Sequence, residues 1–456
     1  MSGLAQVLLS RGVRVSGSDP GQNAATTRLL AHGAVISTEQ TAENIQLERP
    51  DIVVVTAAIH ENNPELVAAK IAKIPIYTRA EYLGLLMADH SGPRIAVSGT
   101  HGKTTTTAML ASVLISGKLD PSVLVGGEYG PIGGNVRVGA SEVFLTEACE
   151  AYDSFLSLKA DIAIITNIEA DHLDHYGTME NVFNAFRQFV SQTSHDGALI
   201  WCREDNGARQ LVGSMQNNGP ARRIPYGLVP EGPNSIWADA IHMQPGCSTF
   251  TVRKGNCKDL GHVRLFVPGT HNILNALAAI TAGLEAGVKF DAIAQGIEEF
   301  HGTGRRFEIK GERLGALVVD DYAHHPTEIL ATLEAARSVY PERRLIAVFQ
   351  PHLYSRTLTF MNEFARALSG FDVVILTDIY AAREEPIPGV DVADLQANIL
   401  TISPEKLVIY LPNKQDIPRA LVNIVNNKDV VFTIGAGDIY QVGESFLRDE
   451  SSQESI

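Results

Sequence analysis

The strand-like stretch Arg94-Ile95-Ala96-Val97-Ser98 runs straight into Gly99-Thr100-His101-Gly102-Lys103-Thr104-Thr105, and this leaves few options for the fold. A helical pattern, Thr106 to Ile115, follows the loop. Strand, glycine loop and helix in that order are what a phosphate loop requires: successive backbone N–H groups and the helix N-terminus wrap anionic oxygens, and the lysine adds a point charge. The Thr104 hydroxyl stands where a Mg2+ ligand is expected. The strict Walker spacing is not met, because the glycine five residues before Gly102 would be Val97. A glycine turn with an exposed lysine is the plain alternative, but the context favours an ATP site on an α/β sheet.

Short β-branched runs alternating with helical stretches divide the 456 residues into three α/β blocks, the number that this length suggests at roughly 150 residues per domain. The first block (1–90) carries runs at Val13–Ser16, Asp51–Val55 and Ile74–Tyr77. A helical stretch from Glu81 to Asp89 then ends at the Ser91-Gly92-Pro93 break. The second (91–303) holds the glycine loop, strands at Val143–Thr146 and Ile162–Ile165, a Gly- and Pro-rich stretch near 220–270 that reads as strands and turns, and a helix from Asn272 to Ala286. The third (304–450) carries runs at Leu317–Val319, Leu345–Phe349, Val373–Leu376, Leu407–Ile409 and Val430–Phe432, the pattern of a doubly wound sheet. A Ser/Glu-rich tail (451–456) closes the chain and is expected to fray. At the other end, Met1 leads directly into a helical pattern (Leu4, Val7, Leu8), where a nucleotide-binding domain would open with a strand and a glycine loop.

Charge and cysteine content narrow the function. The formal charge of −15 excludes a general affinity for nucleic acid or anionic lipid, so an anionic ligand must be held by a few local cations and backbone amides. No apolar run approaches the roughly 18 residues of a membrane helix. Cys149, Cys202, Cys247 and Cys257 form no Cys-x-x-Cys pair and no disulfide framework, which fits a reduced, cytoplasmic compartment.

Further polar clusters stand at strand ends. Glu147-Ala148-Cys149-Glu150 is well placed to hold Mg2+ beside the phosphate loop, although on its own a pair of solvated acids is the plainer reading. Asn167-Ile168-Glu169-Ala170-Asp171-His172-Leu173-Asp174 ends another strand of the same block, and spacing alone leaves a metal and a structural role for His172 evenly balanced. In Thr270-His271-Asn272-Ile273-Leu274-Asn275 the two asparagines share a helical face, and Asn272 could equally be a helix cap. Gly304-Arg305-Arg306-Phe307 offers cations at the start of block three. Asp320-Asp321-Tyr322-Ala323-His324-His325-Pro326 and Gln350-Pro351-His352-Leu353-Tyr354-Ser355-Arg356-Thr357 read as one face of a ligand site. A zinc site at His324-His325 is disfavoured, as no cysteine stands near the pair.

GTHGKTT, EACEAYDSF, TNIEADHLDHYG, HNILN, GTGRRFE, DDYAHHPTE and FQPHLYSRT occur in this order over nearly the whole chain. Each motif is weak alone, but the ordered set resembles the Mur ligase family, and DDYAHHPTE is similar to its alanine-adding branch. The resemblance implies three domains: an N-terminal Rossmann-like domain for a UDP-sugar, a central P-loop ATPase domain and a C-terminal Rossmann-like domain. It implies an ATP-dependent amide-forming ligase of peptidoglycan precursor synthesis, in which L-alanine is joined to UDP-N-acetylmuramate through an acyl phosphate. Monomers or weak homo-oligomers without nucleic-acid or membrane partners are expected. Two other outcomes are a sister ligase adding a preformed peptide to the same sugar, and a nucleotide-gated ATPase that ligates nothing.

Motif by motif, the resemblance implies that Gly99, Thr100, His101, Gly102, Lys103, Thr104 and Thr105 bind ATP, with Lys103 on the β- and γ-phosphates. Thr104 and Glu150 would ligate a first Mg2+ and His172 a second. Asn272 and Asn275 would contact the base region, Arg306 the phosphates and Asp321 the ribose. Tyr322, His325, Tyr354 and Arg356 would face the incoming amino acid and the acyl phosphate, with Arg356 pairing a carboxylate. Asn135 and Arg137 match the segment that contacts the muramoyl group.

The sequence also departs from the family. No lysine lies between His172 and Trp201, so no carbamylated lysine is expected; Leu353 replaces an arginine of some members, and Cys149 replaces a common aspartate. The strand and Gly-x-Gly-Gly-type loop that the family places before a segment like Met1–Ala5 do not appear. The expectation is a start lying inside a longer reading frame, with weakened UDP-sugar binding, an exposed helix at Leu4–Leu9 and a loosened first domain.

Overall fold

The computed structural model describes residues 1–448 apart from Gln22, Ala57, Ala58, Gln216, Asn217, Asn256, Cys257 and Arg383. Cys257 and the tail anticipated at 451–456 therefore lie outside the described residues. The chain forms two compact units: Met1–Trp237 with Arg253–Gly261 and Ala276–Ile297, and Ala238–Val252 with His262–Asn275 and Glu298–Ile456. No described helix is long and apolar enough to cross a membrane.

The first unit is built on a parallel sheet. Its strands run in the order Arg222–Gly227, Ala198–Cys202, Ile162–Ile165, Arg94–Ser98, Phe144–Glu147 and Ser122–Tyr129, with Gly134–Arg137 antiparallel at the edge. Ile95, Ala96, Val97 and every residue of Ile162–Ile165 and Ala198–Cys202 are buried, as continuous apolar strands must be when both faces are covered. The register sets Val97 beside Glu147 and Ser98 beside Ile165, so the chain leaves three adjacent strands at the same end. The helix after the glycine loop begins at Lys103, earlier than its apolar pattern implied, and runs to Ser116 with Thr105–Leu114 buried. The apolar stripe marks where the helix is covered; its polar first turn is still helical.

The first ninety residues differ from expectation in two ways. Their strands are short and shifted: Ser16–Ser18 pairs in parallel with Val35–Ser37, and Val53–Val55 with Ile76–Thr78, as two separate sheets. Val13, read as strand, lies outside and is 45% exposed. The helix Ser2–Ser10, in contrast, is not left exposed. It buries Leu4 (3% exposed) and Val7 (1%) in the core that also holds Leu83, Met87, Leu124 and Val136. Gly3 makes this approach possible, because a Cβ there would stand 2.7 Å from Val136 Cγ2.

In the second unit six strands are ordered Glu308–Arg313, Ala316–Asp321, Val430–Ile434, Leu345–Phe349, Val373–Leu376 and Leu407–Tyr410, all parallel but the first. Alternate residues feed two cores. Val319, Ala347 and Phe432 pack with residues of the helices Pro326–Val339, Met361–Leu368 and Val392–Ile402. Val318, Val348 and Val431 pack with Ile417–Ile424 and Tyr440–Arg448. This is the doubly wound sheet anticipated, and the loops carrying Asp321 and Gln350 leave adjacent ends of it.

Candidate active site

The glycine loop is clamped by the neighbouring strand's exit. Gly99 has φ +131°, and a Cβ there would stand 2.0 Å from Thr166 Oγ1, so glycine is needed on both counts. Thr100 donates its N–H to the Asn167 carbonyl (3.0 Å) and His101 its N–H to Asn167 Oδ1 (2.7 Å). The His101 carbonyl accepts from Thr166 Oγ1 (2.6 Å) and Asn167 Nδ2 (3.1 Å), and Glu169 donates its N–H to Thr100 Oγ1 (2.9 Å). Gly102, at φ +81°, caps the helix that starts at Lys103. The free amides of that first turn and the lysine form an anion cradle at a helix N-terminus.

Lys103 Nζ lies 2.9 Å from Glu150 Oε2, with side-chain exposures of 12% and 2%. It also donates to the carbonyls of Gly99 (2.6 Å) and Thr100 (2.9 Å). Burial works against its charge, but the carboxylates of Glu150 and Glu147 outweigh it and hold the ammonium above its ordinary pKa. Thr104 Oγ1 donates to Glu147 Oε2 (2.9 Å), which also accepts the Gly126 N–H (2.8 Å). Between them Cys149 stays a neutral thiol, pushed up to about 11 by burial and by Glu150. Tyr152, Asp153 and His172 adopt left-handed φ of 53°, 55° and 52°, so the backbone is strained on both segments of this acidic cluster. Tyr176 donates its hydroxyl to the Glu150 carbonyl, and His172 donates its N–H to Asp171 Oδ1 (2.8 Å). Thr104, Glu147 and Glu150 offer hard oxygen donors beside the loop, a set that fits Mg2+. Arg137 is paired with Asp120, while Asn135 is half-buried on the same edge strand.

The second unit gathers the remaining candidates. Asn275 Nδ2 donates to Asn272 Oδ1 (3.1 Å), and Asn272 Nδ2 to the Pro268 carbonyl (2.6 Å), so the asparagines share a face as their spacing implied. His271 beside them is exposed. The adjacent arginines have different fates. Arg305 lies between the rings of Tyr322 (4.8 Å) and Tyr440 (4.7 Å) and bonds to Asp320 and the carbonyls of Gly435 and Gly437. Arg306 lies over Tyr322 (5.1 Å) and 3.5 Å from Glu328. Asp321 accepts the N–H groups of Phe307 (2.9 Å) and Ala323 (2.8 Å); burial raises it to about 6 against the pull of Arg306. His325 caps the helix Pro326–Val339 and packs its ring 4.6 Å from that of Phe360. Glu328 accepts the N–H of His324 and pairs with its ring (3.2 Å). Arg356, 7% exposed, places Nη1 3.2 Å from His352 Nδ1, and the His352 and His324 rings are 6.2 Å apart. The two polar loops therefore do meet at one end of the sheet.

Sequence reading left out Glu147, although it quoted the cluster, and Thr166, Asn167 and Glu328, which hold the loops in place. The signal for Asn167 was its position two residues beyond a buried strand. A cavity of about 760 Å3 in the first unit, beside Arg222, Arg223 and Thr281, contains none of the candidates.

Three family models match successive segments: "Mur ligase family, catalytic domain" over residues 1–91, "Mur ligase middle domain" over 97–283, and "Mur ligase, glutamate ligase domain" over 305–437. The UDP-N-acetylmuramate--L-alanine ligase of Clostridium kluyveri is 45% identical over 450 residues, spanning 98% of this chain and 95% of that one. The chain belongs to the Mur ligase family. The ligase of the same name from Trichlorobacter lovleyi is 42% identical over 98% of this chain and 96% of its own. Among solved structures, the UDP-N-acetylmuramate-alanine ligase of Thermotoga maritima matches with a TM-score of 0.81 at 28% identity, covering 98% of this chain and 95% of that one. A murein peptide ligase from Psychrobacter arcticus matches with a TM-score of 0.71 at 25% identity over the same shares. The three-domain α/β architecture is thus that of the family.

Proposed function

We propose that this chain is an ATP-dependent ligase that joins L-alanine to the carboxylate of UDP-N-acetylmuramate, releasing ADP and phosphate, in peptidoglycan precursor synthesis. The observation that carries this reading is the near-full-length identity of 42–45% to ligases of that name. The built phosphate loop supports it. In this reading residues 1–90 take the UDP-sugar, 91–303 the ATP, and 304–450 complete the site.

A carboxylate attacking the γ-phosphoryl group of a tetra-anionic nucleotide must have its charge neutralised in line. Lys103 and the first-turn amides supply part of that field, oriented in advance by the clamp at Thr166 and Asn167. Thr104 and Glu150, with Glu147 added from the geometry, would hold one Mg2+, and His172 a second; bound there, the ions would neutralise phosphate oxygens. Asn272 and Asn275 contact the base region, Arg306 the phosphates and Asp321 the ribose. Asn135 and Arg137 meet the muramoyl group, with Arg137 exchanging Asp120 for it. Tyr322, His325, Tyr354 and Arg356 bind alanine, whose amine displaces phosphate from the acyl phosphate; the carboxylate of alanine pairs with Arg356.

Phosphate release from ATP with Mg2+, UDP-N-acetylmuramate and L-alanine, each omitted in turn, tests the reading. Release should require sugar and alanine together. Release with a tripeptide in place of alanine would identify the peptide-adding sister, and release indifferent to both would leave an ATPase.

A further inference from the structure

We propose that Glu384 is a positioning residue for the amino-acid half of the reaction: it holds the turn that presents Tyr354 and Arg356. This rests on the placement of those two residues at alanine in the reading above. After the buried strand Leu345–Phe349 the chain turns through Gln350–Leu353 into a short helix, Tyr354–Thr359. Leu353 makes that turn at φ 71°, ψ 134°, a conformation that side chains avoid, and it is buried (3% exposed). A backbone in such a state persists only where its surroundings hold it.

The hold comes from two residues, Tyr380 and Glu384. Leu353 donates its N–H to the Tyr380 carbonyl (3.0 Å) and Tyr380 its N–H to the Pro351 carbonyl (2.8 Å), with the His352 and Tyr380 rings stacked at 5.6 Å and 13°. Leucine at the N-cap position has no side-chain acceptor for the first-turn amides. Glu384 supplies one from outside: its carboxylate accepts the Ser355 N–H (3.0 Å) and the Ser355 hydroxyl. A carboxylate at the start of a helix is also the favourable charge there. Ser355 lies between Tyr354 and Arg356, so whatever fixes Ser355 fixes the direction of both neighbours. Glu384 itself touches neither of them through any of these bonds; it acts through Ser355.

The test is steady-state phosphate release by the full chain, varying L-alanine at saturating ATP and sugar. Glu384→Ala should raise KM for alanine about tenfold, the loss of a charge-assisted hydrogen bond, and leave KM for ATP unchanged. Glu384→Gln, which keeps an acceptor oxygen, should recover most of it. Ser355→Ala should raise the same KM less, and in the double variant the effects should not multiply, because both remove one connection. Should Glu384→Ala not fold, Ser355→Ala and Glu384→Gln carry the comparison. An unchanged KM in Glu384→Ala, or effects that multiply, overturns the proposal. Arg356→Lys separates the two levels. If it raises KM for alanine while Glu384→Ala does not, only the positioning role falls; if it does not, the placement of alanine falls and the proposal with it.

Discussion

Replacing Glu150 by Gln puts the electrostatics of the phosphate loop to a quantitative test. Lys103 Nζ and Glu150 Oε2 are 2.9 Å apart, and the side chains are 12% and 2% exposed. At an effective dielectric constant of about 20, that separation gives a gross attraction of about 6 kcal/mol, most of it offset by desolvation. Removing one partner of such a pair strands the other charge and costs about 3–5 kcal/mol. Lys103 would keep its bonds to the carbonyls of Gly99 and Thr100, so the lower end, about 3 kcal/mol, is expected for Glu150→Gln. Lys103→Met should cost about as much by stranding the carboxylate, and the double variant should be more stable than the sum of the singles predicts by about 2 kcal/mol. Urea unfolding followed by tryptophan fluorescence suits this, because both tryptophans, Trp201 and Trp237, belong to the unit that contains the loop. Single variants within about 0.5 kcal/mol of the parent, or strictly additive costs, would refute the argument that burial makes this pair interdependent.

Gly99→Ala should lower kcat/KM for ATP more than tenfold, since the new Cβ would stand 2.0 Å from Thr166 Oγ1 at φ +131°; parent-like kinetics would show the loop is not held by that strand end. Leu4→Ala should destabilise the first unit by about 2–4 kcal/mol, read by the same fluorescence, and a loss under about 0.5 kcal/mol would mean the N-terminal helix is not docked. Asp321 is raised to about 6 from an ordinary 3.8, so its protonated form favours the fold. That contribution is full below about 4 and is lost as pH rises to about 6. The urea midpoint of the parent, followed by circular dichroism, should therefore fall relative to Asp321→Asn across that window. A constant difference from pH 4 to 7 would refute the assignment to Asp321. Thr104→Val should raise the Mg2+ concentration needed for half-maximal phosphate release severalfold, and an unchanged requirement would remove Thr104 from the metal set.

What could be read in advance was contiguous. The glycine loop, the HNILN asparagines and the buried strands each carry their signal in neighbouring residues, because backbone conformation and helical or strand periodicity are local properties. Strand ends in the first ninety residues were misplaced by a few positions, since Val13 is a good strand former but pairing with Val35–Ser37 starts only from the Val15 carbonyl. Local preference was there, and a partner strand was not.

The order of motifs along the chain determined the family, the phosphate loop and most of the candidate residues. Tertiary structure decided which side chain each of them meets. Thr104 finds Glu147 because the sheet register puts two strand ends side by side. Adjacent arginines part company because successive residues at a turn face different surroundings: Arg305 is locked among Tyr322, Tyr440 and Asp320, and Arg306 goes to Glu328. The first helix is buried because Gly3 lets it approach Val136, far along the chain. Pairings of this kind depend on strand register and close packing, which are set by the whole sheet and are not written in any one segment.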